Sequence, residues 1–181
     1  ILIEYIYKEN PHIFKIKNIK IIDYGSAFIL NSIDNQNNFC LSTTPEYLCS
    51  ELTINNKKFK IDLYNNSSKY INSIDIWSAG ITLLELCLCC PVWMSYKSKI
   101  SLLGKNIYSY GLFGCKCRDS NKIYQKQIDL NKNLDKYLKN SLIELFKDTN
   151  DKNNFVDLLS KMLNINYKKR ITTSEVLDHP L

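Results

Sequence analysis

Glycine is scarce in this chain, with five residues in 181. Those at positions 104, 111 and 114 do not form a G-x-G-x-x-G cradle, so no glycine-rich phosphate loop is legible between residues 1 and 181. Long apolar runs are missing as well. None approaches the roughly 20 residues that span a bilayer, and the opening residues do not read as a secretory signal. Histidine occurs twice, and neither His stands near a cysteine pair, which argues against a Cys/His zinc site. The net charge is +6, but the lysines are scattered and no basic run is dense. A solvated basic surface is the plainer reading, and no nucleic-acid or membrane partner is expected.

What is present suits one domain with a sizeable core, since 45% of the residues are hydrophobic. Seven cysteines cannot all pair. Free thiols in a reducing intracellular compartment, cytoplasmic or nuclear, fit that count. Cys87 and Cys90 form a C-x-x-C, with Cys115 and Cys117 further on, but the first pair continues a long apolar helix.

Along the chain, "HIF" and "IKIID" read as two short strands, with a turn near residues 15–18. Residues 26–43 and 53–70 are polar and loop-like. "SIDIWSAGITLLELCLCC" (residues 73–90) is apolar on nearly every side, as a core helix is, and Pro91 closes it. Residues 91–133 read as irregular. Leu134, Leu138, Leu142, Leu145 and Phe146 recur at helical spacing, and "DTNDKNN" reads as a linker. Phe155, Leu158, Leu159, Met162 and Leu163 then form one helical face. "TTSE" (residues 172–175) is a capping box.

The stretch "IKIIDYGSA" (residues 19–27) places a carboxylate, Asp23, at the end of an apolar strand, with Gly25 free to turn sharply. A carboxylate held there suits Mg²⁺, which favours a few hard oxygens. A strand simply ending in a turn is the competing reading. Asp75 reads either as a helix N-cap or as a buried brace, and Arg170 either as a surface charge or as one half of a buried pair.

In order, these pieces resemble the C-terminal lobe of a eukaryotic protein kinase. "DYG" (23–25) resembles the magnesium-binding D-F-G, and "TPEYLCSE" (44–51) resembles the segment that ends in A-P-E. "SIDIWSAGITLLEL" (73–86) resembles the central helix that opens D-x-W-S-x-G. "DLLSKMLNINYKKRIT" (157–172) resembles the late helix and its arginine turn, and "HP" (179–180) fits the end. "DYGSA" is similar to the cyclin-dependent and related branch. The resemblance implies a mainly α fold with a small β element: a kinase-like C-terminal lobe without the N-terminal lobe. Residues 1–181 would form a partial kinase domain, with the end of the catalytic loop first, an activation segment over 23–51 and a helical lobe over 73–181.

Function follows as an expectation from that resemblance. A Ser/Thr kinase transfers the γ-phosphate of ATP to a protein hydroxyl. Asp23 and Asn10 would hold Mg²⁺ and so contribute to the ATP site. Thr44 would line the site for the protein substrate, and Ser42, Thr43 or Thr44 could accept a regulatory phosphate. Glu51 and Arg170 would form a buried ion pair, and Asp75 would brace the catalytic loop.

One departure is plain. Counting back from Asp23, the H-R-D positions hold Ile3, Glu4 and Tyr5, so Tyr5 occupies the expected position of the catalytic base and no catalytic residue is identified. A phenol is a poor proton acceptor at neutral pH. The chain alone is therefore expected to be inactive, with its partner lobe outside these residues. A pseudokinase or kinase-fold interaction module is the alternative.

Overall fold

A computed structural model describes residues 1–7, 14–25, 27, 44–54, 67–89, 95–102, 104–112, 119–139, 141 and 146–181. The chain divides into two compact units, Ile1–Ser42 and Thr43–Leu181.

The first unit is built on a two-stranded antiparallel ribbon. Strand β1 (Leu2–Tyr7) pairs with β2 (Phe14–Lys20), from Leu2↔Lys20 to Tyr7↔Phe14, with a register irregularity between Glu4 and Tyr5. β-Branched and aromatic residues dominate β1, and Ile16 stands between Lys15 and Lys17 in β2. Leu2, Ile3, Tyr5, Ile6, Ile16 and Ile19 are nonetheless all exposed.

This ribbon corrects the reading of the sequence in two places. Residues 15–18, read as a turn, lie inside β2, and Ile21 to Asp23, read as strand, lie beyond it. The last pair of the ladder is Leu2↔Lys20, at the first residue of β1. Likewise Ile3, Glu4 and Tyr5, aligned with the start of a catalytic loop, lie in β1.

The second unit is helical and organised around α2 (Ser67–Leu88), which follows the single turn α1 (Ser50–Thr53). Ile76, Trp77, Gly80, Ile81, Leu84 and Cys87 of α2 are buried. Against them pack α4 (Leu134–Leu138) and α5 (Thr149–Met162), while α3 (Ser120–Lys132) contacts α1 and α4 and joins the same core. Trp77, Ile81, Leu84, Leu130, Leu134, Leu138, Phe155, Leu159 and Leu163 share one core, and Ile76, Leu158, Met162 and Ile171 form a second, smaller one. A Cβ on Gly80 would stand 3.0–3.2 Å from side-chain carbons of Met162 and Leu163, so the missing side chain lets α2 and the end of α5 approach closely. Side-chain caps set the helix starts. Asp119 accepts from the backbone N–H of Asn121 at 2.9 Å, and Asp148 accepts from that of Asn150. Thr172 and Glu175 form the capping box that opens α6 (Thr173–Leu177).

Several boundaries differ from the sequence reading. α2 begins at Ser67 and stops at Leu88. Cys89 takes a left-handed φ of 59°, which ends the helix before Cys90, and Pro91 lies outside the described residues. The stretch 91–133 is not simply irregular. It holds an antiparallel hairpin, β3 (Ser95–Leu102) and β4 (Lys105–Leu112), together with α3. Gly104, at φ 74°, supplies the left-handed turn that closes the hairpin. The helix expected over 134–146 is the short α4. Phe146 lies outside it, and Leu142 and Leu145 fall outside the described residues. The polar stretch 148–154, read as a linker, is the cap and exposed opening of α5. Among the described residues Cys49, Cys87 and Cys89 are free thiols, whereas Cys115 and Cys117 lie outside them. No described helix is long and apolar enough to cross a membrane.

Candidate functional site

Residues 44–54 are largely buried in the helical unit and are fastened within it at three points. The deepest is ionic. Arg170, in the turn after α5, donates to both carboxylate oxygens of Glu51 on α1, at 2.7 and 3.0 Å. Both side chains are almost fully buried. Two buried charges are tolerated only when geometry and further hydrogen bonds repay their lost hydration. Arg170 Nη1 also donates to the Ser73 carbonyl at 2.7 Å, and Nε donates to that of Asn164 at 3.0 Å. The guanidinium lies 5.0 Å over the Trp77 ring. On the other side, the Ser50 hydroxyl is 2.9 Å from both Glu51 Oε2 and the Ile165 carbonyl. Cys49, in the same cluster, is fully buried. Burial pushes its thiol up, with the charge of Glu51 adding to that, so it stays protonated.

The second point is Tyr47, in the single 3₁₀ turn Pro45–Tyr47. Its hydroxyl donates to Glu85 on α2, and its carbonyl accepts from Ser78 at 3.0 Å. The bond to Glu85 and partial burial push the phenol up to about 12. At the third point, Gln127 of α3 donates through Nε2 to the Leu48 carbonyl at 2.7 Å and lies 3.2 Å from Thr53 Oγ1. Thr44, at the head of the segment, is exposed. The sequence reading missed Tyr47, Ser78, Glu85 and Gln127. The one available signal was a glutamine, at 127, on the apolar face that Ile123 and Leu130 define.

Asp75 lies about two turns inside α2, beyond the reach of an N-cap, and its side is exposed. Partial burial still raises its carboxyl above the usual range.

In the first unit, the left-handed residue of the Asp-Tyr-Gly turn is Asp23, at φ 66°, rather than Gly25. Aspartate tolerates this conformation better than most residues. Asp23 Oδ1 lies 3.5 Å from the Gly25 nitrogen, and the turn closes through Ala27 N donating to the Tyr24 carbonyl at 3.0 Å. Asp23 is exposed, so a hard-oxygen ligand is presented to solvent, which is the donor type Mg²⁺ selects. Asn10, its expected companion, lies outside the described residues, as do Ser42 and Thr43. Among the described residues no group of three or more His, Cys, Asp or Glu is arranged to hold a metal. Asp23 alone does not make a metal site among the described residues. Tyr5 sits in β1 opposite Ile16. Glu4, the only acid beside it, is paired with Lys17 at 2.7 Å.

The protein kinase domain family matches residues 6–181, nearly the whole chain, and the chain belongs to that family. Members are transferases that generally use ATP with Mg²⁺ and act on proteins. No solved structure matches the chain.

Proposed function

We propose that this chain is part of a Ser/Thr protein kinase, one that transfers the γ-phosphate of ATP to protein hydroxyls. The observation that carries this reading is the anchoring of residues 44–54. Glu51–Arg170, Tyr47–Glu85 and Gln127 fix the backbone of a segment whose leading residue, Thr44, stays exposed. A fixed backbone beside an exposed residue can position a protein substrate without reordering at each encounter. Asp23 and Asn10 would hold Mg²⁺, which when bound offsets charge on the phosphates. In this reading residues 1–181 alone are inactive. Tyr5 stands at the base position, and Glu4, the neighbouring acid, is one residue out of register. The wording of "DYGSA" favours the cyclin-dependent and related branch. Tyr5 also favours a second reading, a pseudokinase that binds partners through its helical unit. Retention of Asp23 and Asn10 speaks against it, because metal ligands have little use without a nucleotide.

The test is Asp23→Asn in the full-length protein. Mg²⁺-dependent phosphoryl transfer to a protein substrate should disappear, while the melting temperature without nucleotide stays nearly unchanged. Undiminished transfer would remove the metal role, and an unfolded variant would make Asp23 structural. A folded wild-type protein that transfers no phosphate would favour the pseudokinase.

A further inference from the structure

We draw no further inference here: the strongest candidate, the apolar two-stranded ribbon of β1 and β2 with Leu2, Ile3, Tyr5, Ile6, Ile16 and Ile19 exposed, carries nothing because nothing in the structure shows what covers it.

Discussion

Two ion pairs, one in each unit, have the same closest N···O distance of 2.7 Å. Lys17–Glu4 crosses the β1–β2 ribbon with its side chains 56% and 46% exposed. Arg170–Glu51 lies in the helical unit with 0% and 2% exposed. In water the first contributes about 1 kcal/mol at most. Breaking the second strands a charge in a dry site and costs about 3–5 kcal/mol. Distance therefore says little about what a pair contributes; burial and the surrounding bonds decide it. The same contrast holds for apolar side chains. Isoleucines of the ribbon stand in solvent, whereas Ile81 is fully buried in a core of other side chains. A two-stranded ribbon is marginal by itself, while α2 and the helices packed on it enclose a core.

The largest effect is expected at Arg170. Arg170→Glu should lower the melting temperature of the helical unit by about 6–20 °C, the equivalent of about 3–5 kcal/mol in a chain of this size. Lys169→Glu, at the exposed neighbour, should move it by about 2 °C or less. Equal melting temperatures for the two variants would remove the ion pair from the account.

Apolar truncation gives the next largest contrast. Ile81→Ala should cost about 2–5 kcal/mol, since it empties a site with no exposure. Ile19→Ala, on the ribbon, should change chemical-denaturation stability by about 0.5 kcal/mol or less. A loss at Ile19 as large as that at Ile81 would mean that the ribbon face is covered in solution.

Asp75 provides the smallest effect and a pH dependence. Its carboxyl titrates above the ordinary value of 3.8 when folded. As pH rises, the unfolded chain loses this proton first, so the group's contribution favours the native state at low pH and is lost through 3.8 and past the raised native value. Asp75→Asn removes that loss. The variant should melt up to about 3 °C higher at pH 7 and no higher at pH 3, the carboxylate being partly solvated. A lower melting temperature at pH 7 would mean that the carboxylate has a partner, as the bracing role requires.

Much of the helical unit was legible because its signals are local. The run after Ser73 is rich in large apolar residues, Phe155 to Leu163 keep a 3.6 period, and Thr172 with Glu175 spells its own cap. The β3–β4 hairpin was not legible, because its strands mix Ser, Lys, Tyr and Ile without strict alternation, and Gly104 reads as loop until its partner strand is known. α3 was hidden by Gln127, a polar residue in a core position that only its bond to the Leu48 carbonyl explains. The pairing of Glu51 with Arg170, 119 residues apart, cannot be read from either residue's surroundings and came from family resemblance alone. In the first unit the left-handed turn fell on Asp23 because an Asx side chain can stand where glycine was expected.

In the proposed reading these residues supply a kinase's substrate-side body but only part of its nucleotide chemistry. The most direct test is a calorimetric titration of the folded 1–181 chain with ATP in excess Mg²⁺. On that reading the heats are no greater than dilution, or show millimolar binding at best, with no difference between wild type and Asp23→Asn. Micromolar binding that depends on Mg²⁺ and is lost in Asp23→Asn would contradict it, because these residues would then form a complete nucleotide site.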